Sequence, residues 1–207
     1  MGFKPGACIV YRAYGAGTIM SEEDRVFAGT VTRYYIISMV ADEGEFMVPV
    51  AQAEALGIRP VVDSKVILGV LQSQVQMLSG DYKERQAVVS VLLSSGDADQ
   101  MSQAARNLAW FAGWKSLTGR DIQLYEELQT RLAGELSLAQ GIDLEEARQQ
   151  LGQELAAITE KAEREAQLER ERVEREAQLE LERAERQTQL EQAAQQAQLE
   201  TEPDKKE

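Results

Sequence analysis

The chain has 207 residues, with 22 Lys and Arg against 35 Asp and Glu, no His, one Cys and a formal charge of −13. Without imidazole there is no Ser-His-Asp or Cys-His pair and no His metal ligand, and one cysteine makes neither an internal disulfide nor a thiolate zinc site. The negative balance excludes bulk coating of nucleic acid, no apolar run approaches the ~18–20 residues of a membrane span, and MGFKPG has no apolar secretory core, so a soluble cytoplasmic binding module with no cofactor is expected, not an enzyme.

From Met1 to about Leu56 the sequence is rich in Gly and in β-branched and aromatic residues, the composition of strands. Ala7-Cys8-Ile9-Val10-Tyr11 reads as a strand ended by Tyr14-Gly15-Ala16-Gly17, with Cys8 packing inward as a small hydrophobe. Thr18-Ile19-Met20 and Arg25-Val26-Phe27-Ala28 read as two more strands, separated by the polar Ser21-Glu22-Glu23-Asp24. Thr32 to Met39 is the longest run, followed by a hairpin-type turn at Asp42-Glu43-Gly44. Phe46-Met47-Val48-Pro49-Val50 closes the set, its proline marking a strand end or an edge. Short strands at this density predict a small antiparallel barrel.

After Leu56-Gly57-Ile58-Arg59-Pro60 the apolar period becomes helical. Val66, Leu68, Val70 and Leu71 open a stretch that breaks at Ser79-Gly80-Asp81, and Ala87 to Leu93 stops at Ser94-Ser95-Gly96-Asp97. A helix over roughly Gln100 to Trp114 follows, with Trp110, Phe111 and Trp114 expected in the core. Ile122, Leu124, Tyr125, Leu128, Leu132, Leu136 and Leu138 then form one apolar face, and a short helix covers Leu144 to Ile158. Adjacent carboxylates such as Glu22/Glu23, Glu126/Glu127 and Glu145/Glu146 do not face one another on a helix, so they make no acid/base pair.

The fold class is therefore α+β: a small N-terminal antiparallel β-barrel over 1–57, a C-terminal all-α domain over 58–158, and a long charged helical tail over 159–207. In the tail, Glu163 to Val173 is echoed by Glu174 to Ala184 and more weakly from Glu185, which places Leu168, Leu179 and Leu190 eleven residues apart on one helical line. Glu160/Arg164, Glu171/Arg175 and Glu182/Arg186 have the favourable acid-before-base spacing, each contributing about 0.2–0.5 kcal/mol. A solvated single helix fraying after Thr201 and weak self-association along the Leu/Ala line are the two readings.

Phe3-Lys4-Pro5-Gly6, Ile9-Val10-Tyr11, Gly15-Ala16-Gly17, Gly29, Tyr34-Tyr35 and Val48-Pro49-Val50 are followed by Leu93-Ser94-Ser95-Gly96-Asp97, Arg106-Asn107-Leu108, Leu117-Thr118 and the run Leu132 to Ala139. In order and spacing over Met1 to Ile158 this resembles the CarD/CdnL family of bacterial RNA-polymerase-binding transcription regulators. The resemblance implies a Tudor-like or SH3-like barrel that docks on the polymerase β subunit. It also implies a helical domain that touches promoter DNA at the upstream edge of the melted region. The tail lies outside it.

By that resemblance Arg25 falls where the family has an arginine facing acidic residues of the β subunit, a group able to take a carboxylate bidentately. A second family arginine, two residues before Pro49, is Met47 here. Met47 and Phe27 either offer an adaptable apolar docking surface or point inward and fill the barrel. Tyr82 takes the place of a family tryptophan that wedges into the minor groove, and stacking on an exposed base contributes about 1–3 kcal/mol. Lys83 and Arg85 follow it and are expected to neutralise phosphates. The same three residues also read as a tyrosine packed on its own helix start beside two surface cations.

Over Met1 to Ala157, 13 Lys and Arg stand against 20 Asp and Glu, a balance of −7, so any DNA contact has to be local and assisted by tethering to polymerase. The leading expectation is a factor that stabilises the open promoter complex by binding it better than the closed one. Met47, Trp110, Phe111 and Glu127 depart from the family pattern and keep a second reading open. In that reading the chain is a polymerase-binding adaptor without productive DNA contact, recruiting another protein through its acidic tail.

Overall fold

The computed structural model describes residues 2–27, 30–41 and 44–200, with the backbone alone for Phe27 and 194–200. Ala28, Gly29, the expected turn residues Asp42 and Glu43, and the expected fraying point Thr201 lie outside the described residues. The chain forms two compact units, Met1–Glu163 and Arg164–Glu207. No helix among the described residues is long and apolar enough to cross a membrane.

The first unit begins with β1 (Cys8–Tyr11), β2 (Gly15–Phe27), β3 (Thr30–Met39), β4 (Glu45–Pro49) and β5 (Ile58–Pro60), one antiparallel sheet in the order β4-β3-β2-β1-β5. The strand expected at Thr18–Met20, and the described part of the one expected at Arg25–Ala28, belong to the single β2. Between Ile19, opposite Ile37, and Ser21, opposite Ile36, the register shifts, so Met20 is the extra residue of a bulge and is exposed. The polar run Ser21–Asp24 stays in the ladder because it has partners across it: Arg33 donates to both Asp24 carboxylate oxygens, at 2.9 and 3.2 Å. The strand missed in the sequence is β5, three residues that follow Gly57 in its left-handed conformation (φ 78°) and pair with β1.

The sheet is open, where a closed barrel was expected. β4 and β5 each have one neighbour, and aromatic packing takes the place of the missing ladder. Tyr14, in the turn before β2, lies 4.5 Å from Phe46 of β4 and 5.0 Å from Tyr11 of β1, ring centre to ring centre. Inside the curl Ile9, Ile19, Tyr35, Ile37, Val48 and Ile58 form the core, and the Tyr35 hydroxyl accepts from Phe3 N at 2.9 Å, which pins the N-terminal segment. Cys8 is exposed, not packed inward: successive residues of β1 point to opposite faces, and Ile9 takes the inward position.

Among the described residues five helices follow: α1 (Ser64–Leu71), α2 (Tyr82–Ser94), α3 (Ala98–Trp114), α4 (Gly119–Gln140) and α5 (Leu144–Glu200). Each of the first four has a side-chain cap, from Asp63, Asp81, Asp97 and Thr118, and the last of these forms a reciprocal capping box with Asp121. Ile67, Leu71, Val89, Leu93, Met101, Leu108, Leu124, Leu128, Leu132 and Leu136 make one core with Leu151 and Leu155 of α5. Gly113 lets α3 and α5 approach, since a Cβ there would sit 2.5 Å from the Ala162 side chain. The expected short helix at Leu144–Ile158 is the start of α5, which continues without a break into the tail.

Sheet and bundle are joined through α4. Glu135, fully buried, accepts from Arg59 of β5 at 2.5 and 2.8 Å and from Val62 N at 3.1 Å, while Arg59 also donates to Gly96 O at 2.9 Å. One turn earlier Arg131 donates to Arg12 O at 2.7 Å and Ala13 O at 3.2 Å. Gly134 lies against Ala16, so α4 packs closely on β2. Removing Arg59 leaves a buried carboxylate with a single donor. Arg59→Met is expected to lower unfolding free energy by about 3 kcal/mol, and Arg59→Met with Glu135→Leu to recover most of it. Urea unfolding checks this; a single variant within about 0.5 kcal/mol of the parent contradicts it.

Candidate functional site

The ladder places Arg25 and Met47, two of the expected docking residues, on one face of the sheet. Ser21, Glu23 and Arg25 of β2 stand opposite Ile36, Tyr34 and Thr32 of β3, and Met47 and Pro49 of β4 stand opposite Ile36 and Tyr34. Arg25 and Met47 therefore share this face, with Tyr34 and Ile36 between them. Arg25 is 55% exposed and its guanidinium donates to Glu23, two residues back on the same face, at 2.5 Å. Both partners are in water, so the pair is weak and exchangeable for an external carboxylate. Met47 is 54% exposed, so it does not fill the core. The Phe27 backbone pairs opposite Thr30, and its side chain lies outside the described residues. On the other face, hydrogen bonds from Arg33 hold the exposed Asp24 carboxyl below its ordinary value, against a small opposing effect of burial.

The second group lies at the N-terminal end of α2. Asp81 caps the helix, its carboxylate accepting from Lys83 N at 2.8 Å and Glu84 N at 3.2 Å, and this fixes Tyr82 as the first helical residue. Tyr82 is 49% exposed, and the Lys83 ammonium stands 5.9 Å from its ring centre. A half-exposed phenol beside a cation can stack on an unpaired base without first leaving a core.

Arg85 does not belong to this surface. It is 2% exposed; Nε and Nη2 donate to the two oxygens of buried Asp121 at 3.3 and 2.7 Å, and Nη1 donates to Ser79 O and Gly80 O. Its guanidinium carbon lies 4.1 Å from the Phe111 ring centre. With its donors engaged and no surface in solvent, Arg85 cannot reach a phosphate, and its expected role is corrected: it anchors α2 to α4. Phe111 and Trp110 are buried as expected, at 7% and 9% exposure.

Arg106 and Asn107 are likewise buried and bind the loop before α2. Arg106 donates to Val70 O at 3.0 Å, to the Ser73 hydroxyl and to Asn107 Oδ1, which also accepts from Gln76 N at 3.1 Å. Burial pushes the Arg106 guanidinium below its ordinary value, with Asp99 opposing.

The fold gathers two cations here that sequence reasoning missed. Lys115, just after α3, holds its ammonium 3.6 Å from where a Cβ on Gly80 would lie. Arg120 is in the first turn of α4, beside Thr118, whose hydroxyl accepts from Gln86 of α2 at 2.9 Å. Lys83, Lys115 and Arg120 are all exposed, on a unit that is acidic as a whole and with Asp81 and Glu84 also exposed at this end of α2. No spacing along the chain signals this grouping, because the three cations come from α2, from the residue after α3 and from α4.

Two family models match the chain: the CarD-like/TRCF RID domain over residues 3–62, and the CarD C-terminal domain over residues 66–152.

The Arg85–Asp121 anchor titrates. Burial pushes the Asp121 carboxyl up, but hydrogen bonds from Arg85, from the Thr118 backbone and hydroxyl, and the Arg85 charge together lower it from 3.8 to about 2. A carboxyl depressed on folding adds stability above its ordinary value, and that stability is lost as pH falls from about 4 toward about 2. The parent is expected to lose about 2 kcal/mol more over this range than the paired variant Arg85→Met/Asp121→Leu. Urea unfolding at both ends of the range measures it, and equal losses in the two proteins contradict it.

Proposed function

Because the chain belongs to the CarD-like family, matching its two domain models in order over 3–62 and 66–152, we propose that the sheet docks on the RNA polymerase β subunit and that α2 then holds promoter DNA open. Family membership makes this a transcription-related protein that interacts with RNA polymerase, with domains that regulate and do not catalyse. The contact on the polymerase is assigned to Arg25, with Tyr34 and Met47 beside it. An acidic partner displaces Glu23 from Arg25, and Met47 supplies adaptable apolar contact where the family has a second arginine. Phe27 belongs to the same proposal through its place at the end of β2.

The DNA contact is assigned to Tyr82, with Lys83, Lys115 and Arg120 on phosphates at the upstream edge of the bubble. The observation that carries this reading is the half-exposed Tyr82, with the Lys83 ammonium 5.9 Å from its ring centre, on the same compact unit as the docking face. The unit's negative balance works against capture of free DNA, so docking comes first and raises the local concentration of DNA at α2. Stacking is available only on unpaired bases, so the contact favours the open over the closed complex, and the equilibrium shifts by that difference.

A stack contributing about 1–3 kcal/mol changes open-complex lifetime by about 5- to 150-fold. Saturating protein is expected to lengthen that lifetime, and Tyr82→Ala to lose most of the effect while still binding polymerase. Lys115→Ala and Arg120→Ala are expected to weaken the effect more at low salt than at high salt. Arg25→Glu is expected to abolish capture of the β subunit in a pull-down. Unchanged lifetimes with the parent protein bound to polymerase contradict the DNA half of the proposal; undiminished capture by Arg25→Glu contradicts the docking half.

A further inference from the structure

Glu23 stands between two residues of its own strand that hold it. Ser21, Glu23 and Arg25 alternate onto one face of β2, and both oxygens of the Glu23 carboxylate are engaged there. Oε1 accepts from the Ser21 hydroxyl at 3.2 Å, and Oε2 accepts from Arg25 Nη2 at 2.5 Å. The neighbouring acids play no part in this. Glu22 and Asp24 point to the opposite face, where Arg33 grips Asp24. Glu23 is therefore the carboxylate of β2 that shares the face of Arg25.

The nitrogen that Glu23 takes decides what the contact does. An arginine receives a carboxylate with two parallel bonds through one of two forks, Nε with Nη2 or Nη1 with Nη2. Both forks occur in this chain: Arg33 and Arg85 each hold an aspartate through Nε and Nη2, and Arg59 holds Glu135 through Nη1 and Nη2. Nη2 belongs to either fork. A carboxylate already on it fills one fork and sets a like charge beside anything that enters the other. A carboxylate that merely aimed the side chain could bond Nε or Nη1 and leave the other fork clear; Glu23 bonds Nη2 instead. We infer that Glu23 is a competitor built into the docking face, one that occupies the Arg25 guanidinium in the free protein and lowers its affinity for RNA polymerase. The inference rests on the reading that Arg25 meets an acidic partner. Docking then breaks the internal pair and leaves the Glu23 carboxylate facing the partner's acid with the Ser21 hydroxyl as its remaining donor. Both effects oppose binding.

Titration of purified RNA polymerase with the full chain tests this. Glu23→Gln keeps the shape of the side chain and removes its charge, and it is expected to bind about 3- to 10-fold tighter than the parent. Loss of an exposed ion pair accounts for up to about 5-fold of this, and relief of the like charge for the rest. Glu22→Gln makes the same change of charge on the opposite face and is expected to stay within about 2-fold of the parent. Combined with Arg25→Ala, Glu23→Gln is expected to keep only the like-charge part, about 2-fold, since the guanidinium it competes for is gone. Binding by Glu23→Gln that is equal to or weaker than the parent's overturns the inference. So does an equal gain from Glu22→Gln, or an undiminished gain in the Arg25→Ala background. In each of these cases the docking reading stands if Arg25→Ala alone binds more weakly than the parent. Arg25→Ala that binds as tightly as the parent overturns the docking reading, and this inference with it.

Discussion

Glu135 carries a charge with no exposed surface, and it is tolerable there only because Arg59 forks onto both of its oxygens and Val62 N closes on one of them. An ion pair in that setting adds little stability over a well-packed apolar pair, but it is demanding in geometry, because any other angle between sheet and bundle strands a charge in the interior. Arg59 spends its remaining Nε donor on Gly96 O, between α2 and α3, so the same residue ties β5 to two places in the bundle. Arg131, on the next turn of α4, repeats the link to the β1–β2 turn. The sheet and the helices consequently act as one body, which gives a contact on the sheet a defined consequence at α2.

Charge follows the same division between local and global. The first unit is acidic, and at the Tyr82 end the exposed Lys83 stands beside carboxylates that have their own partners: Asp81 caps α2 and Glu84 accepts from Ser79. A patch this small cannot gather DNA against the field of the whole unit, but it can hold a duplex edge delivered to it. On the proposed reading, DNA is engaged only where polymerase delivers it.

Much of this was legible in the sequence where local rules decide the outcome. Alternating β-branched residues gave away the sheet, the breaks at Asp81 and Asp97 fell at two helix starts, and the eleven-residue repeat announced the tail. What escaped depended on distant partners. The polar run Ser21–Asp24 looks like a turn until Arg33 is placed across the ladder, and β5 is too short to signal itself. Glu135 stands among leucines in an apolar helical run, and nothing nearby hints at an arginine 76 positions earlier. Arg85 was within reach of a local rule: residues two apart on a helix point to different sides, so an outward Lys83 already argues for an inward Arg85. Lys115 and Arg120 obey no such rule, since Lys115 meets Gly80, and α4 next to Arg120 meets α2, only once the helices have packed.

The central claim is that docking on polymerase delivers the ring at position 82 to unpaired promoter DNA. A photo-reactive phenylalanine analogue in place of Tyr82, irradiated in the polymerase–promoter complex, tests this most directly. The expected result is a cross-link to DNA at the upstream edge of the bubble that is absent with free duplex and lost when Arg25→Glu is combined with it. Cross-linking to protein alone, or to free duplex as readily as to the complex, contradicts the claim.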